Sequence, residues 1–295
     1  PFATFDPRRN PLKLVPSSPV PDGTPRPGLV LDDGRIADIP ANAAATPGVD
    51  FSTMLGIIRG GAAARKALDA LAARPPAATA AMADVRLHAP IPRPAKNVFC
   101  VGWNYLEHFE EGAKKLQDNR ELPQWPVFFS KAPTAVNGPF DTIPFDPAIS
   151  TSLDWEVELG VVIGPGGKDI KAEDAMAHVW GYTVINDVSW RDLQRRHGGQ
   201  WHKGKSLDGT CPMGPVLVAA DSLDHTNRRV ACRVNGVTKQ DSNTKFLYFK
   251  LPRLIHDLSM GMTLEAGDVI STGTPEGVGF ARNPPHAGWQ QRRSG

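Results

Sequence analysis

The sequence predicts a mixed, β-rich α+β fold, and three observations carry that expectation. From Asn97 onward, short β-branched runs bounded by Gly, Pro and Asp recur: NVFCVG, PVFFSK, WEVELGVVIG, GYTVIND, GPVLVAA, RRVACRVNG and GDVISTG. Helical periodicity is scarce after Asn97. Its clearest case is LPRLIHDLSMGM, where Pro252 suits a first turn and Gly261 a C-terminal cap. The runs also follow one another without a helical stretch after each, so the sheet is expected to be mostly antiparallel and not built of βαβ units.

The region before these runs reads differently. Residues 1–90 are rich in Ala, Pro and Gly and predict a small N-terminal domain with a linker, ahead of a main domain over 91–295. GLVLDDGRIADIP suggests a short strand. A helix is expected from about Ser52 to Ala73, with Met54, Leu55, Ile57, Ile58, Leu68 and Leu71 at helical spacing and Gly60 and Gly61 weakening its middle. Two prolines in ARPPAATAA end that helix and open the linker.

Composition narrows the function. Of 295 residues, 41% are hydrophobic and 22% charged, with a net charge of +2, so no basic footprint argues for nucleic acid or an anionic membrane. A small molecule is the expected partner. No apolar run is long enough to span a bilayer, and PFATFDPRRN lacks a signal-peptide layout. Cys100, Cys211 and Cys232 are odd in number and far apart, which points to a reducing cytoplasm and away from zinc.

The most informative stretch is LDWEVELGVVIG, Leu153 to Gly164. On a strand, Asp154, Glu156 and Glu158 would share one face, and Trp155, Val157, Leu159 and Val161 the other. Such alternation ordinarily marks a solvated acidic face. Here three acids repel one another with no Lys or Arg interleaved, and the run leads straight into a core-like GVVIG. A divalent cation would relieve the repulsion, and Asp187, closing the apolar run GYTVIND, could supply a further oxygen. Both readings stay open from the pattern alone.

His108 and Glu111, three apart in VGWNYLEHFEEG, would share a helix face. A carboxylate there orients an imidazole for proton transfer; the plain alternative is a surface histidine with an incidental neighbour. STGTPEGVG is a Gly-rich loop whose N–H groups and Thr274 could hold an anionic group. GQWHKGKS matches the letters of a phosphate-binding loop. Its context is wrong, because WRDLQRRHG before it is helix-like and the Gly and Pro of LDGTCPMGP after it prevent a helix.

Taken in order, VGWNYLEH, PVFFSKAPTAVNGP, DWEVELGVVIG, GYTVINDVSWRDLQ, WHKGKSLDGTCPMGPVLV, RVNGVTKQDSNT and LSMGMTLEAGDVISTGTPEGVG resemble the fumarylacetoacetate hydrolase family over roughly residues 90 to 283. The resemblance implies a β-sandwich roll, commonly homodimeric, behind a small N-terminal domain. It implies a metal site of Glu156, Glu158 and Asp187, usually holding Mg²⁺, with Mn²⁺ or Ca²⁺ as alternatives. It also implies His108 as general base with Glu111 as its partner, and Lys205 as a catalytic anion-stabilising lysine. Lys131, Arg191, Gln194 and Thr274 match positions near the substrate.

The implied reaction is metal-dependent hydrolysis of the C–C bond of a 2,4-dioxo acid of acylpyruvate or fumarylpyruvate type. His108 would deprotonate water, and an enolate would be left on the metal. The same site class serves decarboxylation, isomerisation or hydration, and a catalytically impaired metal-binding paralogue is a further alternative. Two departures stand out. Trp103 replaces an arginine frequent in the family's first motif, and HAGWQQRRSG is a polar, strand-poor ending that suggests a shortened C-terminus.

Overall fold

A computed structural model describes residues 11–19, 23–117 and 121–282. The altered ending HAGWQQRRSG therefore lies outside the described residues, as does the whole of the opening PFATFDPRRN.

Among the described residues, ten strands form one sheet. Across it run Ile36–Asp38, Arg26–Val30, Lys13–Pro19, Leu217–Ala219, Val179–Asn186, Val157–Ile163, Val269–Ser271, Val98–Gly102 and Val127–Lys131, while Val85–Leu87 pairs with the far end of Lys13–Pro19. Every pairing in this sheet is antiparallel except that of Val269–Ser271 with Val98–Gly102. The mixed, β-rich α+β class expected from the recurring runs is the class observed.

The N-terminal residues extend this sheet. Lys13 and Leu14 stand opposite Val218 and Leu217. Leu12, Leu14, Met54 and Leu68 pack in one core with Val98, Trp180 and Val269. GLVLDDGRIADIP is a hairpin, not a single strand, because Gly34 at φ +81° lets the chain reverse. The expected helix from Ser52 to Ala73 is two helices, Met54–Arg59 and Gly61–Ala73. Thr53 caps the first through a bond from the Gly56 N–H, and Gly61 at φ +51° breaks the axis where the glycine pair had weakened it.

The opposite face of the sheet carries a second core. Leu159, Val161 and Ile163 pack there against Leu251, Leu254, Ile255 and Leu258 of the helix Leu251–Ser259. Their spacing places all four leucine-type side chains on one helix face. Both faces of Val157–Ile163 are covered, so the whole strand is buried and the solvated acidic face foreseen as one possibility does not occur.

A separate hairpin joins Arg229–Val234 to Val237–Asn243. Its turn residues Asn235 and Gly236 both have positive φ, 53° and 78°, as a two-residue primed turn requires. This hairpin delivers the buried Gln240 to the central strand, where its Oε1 accepts from the Val157 N–H at 3.0 Å.

Candidate active site

The stretch Leu153–Ile163 is not one continuous strand. Leu153–Asp154 pairs separately with Ser189–Trp190, and the ladder restarts at Val157. The interruption splits the three acids that alternation had put together. Asp154 turns away to accept from the Gly279 N–H at 2.6 Å and the Phe280 N–H at 3.0 Å, while Glu156 and Glu158 converge on Asp187. Strand pairing makes that meeting. Asn186 stands opposite Val157, and the Asp187 N–H donates to the Glu156 carbonyl at 2.8 Å, which sets Asp187 across from Glu156.

Glu156, Glu158 and Asp187 each offer a carboxylate oxygen within 4.8 Å of the others, and all three are buried. Buried like charges this close need cations, and the fold brings three. Lys205 Nζ donates to Glu156 Oε2 at 2.7 Å and Asp187 Oδ2 at 2.8 Å. Lys131 Nζ donates to Asp187 Oδ1 at 2.9 Å and to the Val188 carbonyl at 3.0 Å. Arg191 lies 2.6 Å from Glu156 Oε1 and 2.8 Å from Asp154 Oδ2. Among the described residues Glu158 has no such partner; Ser271 Oγ and the Gly273 N–H donate to it at 2.6 and 2.7 Å.

The protonation of the cluster follows from these contacts. Burial alone would raise the Glu156 carboxyl, but Lys205, Arg191 and His108 hold it down to about 2. Burial pushes Glu158 well above the usual carboxylate range, and the negative neighbours Asp187 and Glu156 push it further. Burial disfavours the Lys205 ammonium, yet Asp187 and Glu156 outweigh that and keep it firmly charged.

The donor set suits a hard divalent cation. It is all carboxylate oxygen, the donor type such an ion takes. With Asp154 included, four carboxylates face three cationic side chains, so one negative charge remains when all are ionised. Glu156, Glu158 and Asp187 would hold the ion, and its excess charge would favour an anionic ligand.

His108 and Glu111 lie on the helix Leu106–Leu116, which starts with Glu107 and ends with Lys114 and Lys115 in agreement with its dipole. His108 Nδ1 is 3.4 Å from Glu111 Oε2. The Gly277 N–H donates to both Glu111 oxygens, at 3.0 and 3.2 Å. The Gly-rich loop does hold anionic groups, but they are the protein's own: Gly273 binds Glu158 and Gly277 binds Glu111.

His108, Arg191 and Gln194 line a cavity of about 290 Å³ together with Trp103, Trp201 and Phe280. Among the described residues, no acidic side chain lines it. Trp201 sits edge-on to both Trp103 and Phe129, with centroids 5.1 and 5.0 Å apart. Thr274 does not line this cavity. Its hydroxyl donates to the Val157 carbonyl at 3.0 Å and accepts from Gln240 Nε2 at 2.8 Å, bracing the strand from which Glu156 and Glu158 project.

Residue-pattern reasoning passed over Ser271, Gln240 and the clamp of Asp154 on the loop Gly279–Phe280. Ser271 could have been found, since Ser271 and Gly273 alternate along a strand end and both meet Glu158. Gln240 gave no signal in its own hairpin. GQWHKGKS lies between and within two short helices, Arg191–Arg196 and His202–Lys205, with no strand leading into it.

Fold and site together define a β-rich enzyme built round a buried carboxylate centre beside a histidine–glutamate pair. The chain belongs to the fumarylacetoacetate hydrolase family, whose C-terminal domain profile, fumarylacetoacetate (FAA) hydrolase C-terminal, matches residues 97–292. Among its relatives, oxaloacetate tautomerase YisK of Bacillus subtilis is 48% identical over 205 residues, 69% of this chain and 66% of that protein. The match thus spans just under two thirds of that relative's length. The fumarylacetoacetate hydrolase EaFAH from psychrophilic Exiguobacterium antarcticum superposes with a TM-score of 0.76 at 38% identity, covering 93% of this chain and 90% of that one. Maleylpyruvate hydrolase from Sphingobium sp. SYK-6, solved with manganese(II) and pyruvate, gives a TM-score of 0.71 at 30% identity, covering 90% of each chain.

Proposed function

We propose that this protein interconverts the keto and enol forms of a short 2-oxo dicarboxylic acid of the oxaloacetate type. The observation that carries the reading is the His108–Glu111 pair, whose imidazole lines a cavity that also holds Arg191, next to the buried triad. The similarity to oxaloacetate tautomerases supports it.

The chemistry needs one proton moved. Neutral His108 takes a proton from C3 of the keto acid, the C3–H electron pair becomes the C2–C3 double bond, and negative charge collects on the C2 oxygen. Return of the proton to that oxygen gives the enol, and the sequence runs equally in reverse. Glu111, fixed by Gly277, orients the imidazole and stabilises its charged form while it carries the proton. Arg191 and Lys205 supply positive charge near the carboxylate centre, and Trp103, Trp201 and Phe280 keep water from the carbanion. A divalent ion on Glu156, Glu158 and Asp187, Mg²⁺ by preference with Mn²⁺ or Ca²⁺ as alternatives, would supply Lewis acidity toward the oxo acid.

The second reading is C–C hydrolysis of a 2,4-dioxo acid of acylpyruvate or fumarylpyruvate type, for which the similarity to a maleylpyruvate hydrolase speaks. There His108 takes the proton from water, hydroxide adds to the distal carbonyl, and the C–C bond breaks to a carboxylic acid and an enolate. Spectrophotometric decay of enol-oxaloacetate, with Mg²⁺ and with EDTA, separates the two. Metal-dependent acceleration is expected; cleavage of acylpyruvates without any effect on oxaloacetate would replace the first reading by the second. A homodimeric, cytoplasmic protein belongs to the same proposal; among the described residues no helix is long and apolar enough to cross a membrane.

A further inference from the structure

Two lysines reach Asp187, and they are held in different ways. Lys131 divides its bonds between Asp187 Oδ1 and a backbone carbonyl, that of Val188. The backbone bond fixes its ammonium whatever happens to the carboxylate. The hydrogen bonds of the Lys205 ammonium run to carboxylates of the triad, Glu156 Oε2 and Asp187 Oδ2. Its position therefore depends on the charge of those two groups.

The surroundings give Lys205 somewhere to go. Its Nζ lies 5.0 Å over the Phe129 ring, and Phe129 packs on Trp201, a wall of the cavity. Trp201 directly precedes the short helix His202–Lys205, and Gly198 and Gly199 before it both have positive φ. A four-carbon stem on a one-turn helix can swing its ammonium along the aromatic ring, where a cation keeps a favourable contact.

We propose that Lys205 and a divalent cation are alternative occupants of the same Glu156 and Asp187 oxygens, and that the ammonium displaced by the ion turns toward the cavity to serve the bound oxo acid. The competition follows from charge. A divalent ion on these oxygens meets a positive centre within hydrogen-bond distance of them, and like charges so close in a buried site repel strongly. Of the two lysines, the one without a backbone tether yields. Metal and anionic substrate would then bind in order, the first freeing the group that receives the second. The last step rests on the oxo-acid reading; the competition does not.

The test uses Mn²⁺ as probe on the full chain after chelation. Titration calorimetry should show Lys205→Met binding Mn²⁺ about tenfold more tightly than the parent protein, and Lys131→Met showing much less tightening. Lys131 is the control because it removes the same charge from the same carboxylate. Equal tightening in both variants, or none in Lys205→Met, would overturn the competition. A crystal structure of the Mn²⁺-loaded parent protein needs no variant: Nζ should leave hydrogen-bond reach of Glu156 or Asp187, and retention of both bonds beside the bound ion refutes it. With Mn²⁺ bound, oxalate should bind Lys205→Met more weakly than the parent protein; unchanged affinity removes the hand-over to substrate. Inactivity toward oxaloacetate would count against the proposed reaction and leave the two Mn²⁺ measurements standing.

Discussion

Gly277 holds the Glu111 carboxylate from behind, its N–H 3.0 Å from Oε1, while Oε2 faces His108 Nδ1 at 3.4 Å. The loop after the last strand of the sheet thus sets the orientation of the His108–Glu111 pair on a distant helix. Replacing His108 by Asn should lower kcat about a hundredfold or more, as loss of a general base does. Glu111→Gln should cost less, about tenfold, because the imidazole stays and only its orientation and charge balance suffer. Steady-state rates at saturating metal decide this. A Glu111→Gln enzyme with the parent kcat would show that the pair is not used in turnover.

Asp187 neutralises two buried lysines at once, at 2.9 Å from Lys131 and 2.8 Å from Lys205. Asp187→Asn leaves both ammonium groups short of charge, and breaking a buried pair costs about 3–5 kcal/mol. Urea denaturation of the chelated protein should show a loss of that order, together with loss of Mn²⁺ binding. A variant as stable as the parent would mean the two lysines find other partners.

Glu156 and Glu158 should give opposite dependences of stability on pH. Glu156 is held down to about 2 in the fold, below the ordinary 4.5, so its stabilisation is present above 4.5 and drains away as pH falls toward 2. Glu158 is raised above 4.5 by burial and its negative neighbours, so its contribution is full below 4.5 and is lost as pH rises through its folded value. In EDTA, Glu158→Gln should therefore raise the melting temperature at neutral pH while abolishing tight Mn²⁺ binding. Glu156→Gln should flatten the acid side of the curve. Melting curves from about pH 3 to about pH 8 read both. A Glu158→Gln protein that melts lower than the parent at neutral pH contradicts the assignment.

Gly102 leaves room for Trp201. A Cβ added there would come within 2.5 Å of the indole ring, which is itself edge-on to Trp103 and Phe129. Gly102→Ala should push Trp201 into the cavity, raising KM more than it lowers kcat and changing tryptophan fluorescence. Trp103→Ala should act the other way, enlarging the cavity and improving kcat/KM for oxo acids with longer distal groups. Unaltered selectivity in Trp103→Ala would mean that this ring does not bound the substrate.

Much of this protein was determined by its sequence alone. Recurring β-branched runs declared the sheet, because a buried pleated surface selects those side chains wherever it forms. His108 and Glu111 were legible because a helix fixes the distance between residues three apart. Glu156, Glu158 and Asp187 stood out because uncompensated acids leading into apolar runs have to be explained.

Only the tertiary structure decided what compensates them. Lys131 and Lys205 lie 56 and 18 residues from Asp187, and no local period links either to it. Alternation had grouped Asp154 with the two glutamates; the break at Trp155–Glu156 sent it to Arg191 and the Gly279–Phe280 loop instead. Gln240 reaches the site from a separate hairpin, and Trp201 reaches the cavity wall from the stretch that had looked like a phosphate loop. The physical reason is common to all of these. Local spacing fixes which side chains share a face, but the charge balance of a buried site is set by whatever the closed sheet brings within hydrogen-bond distance.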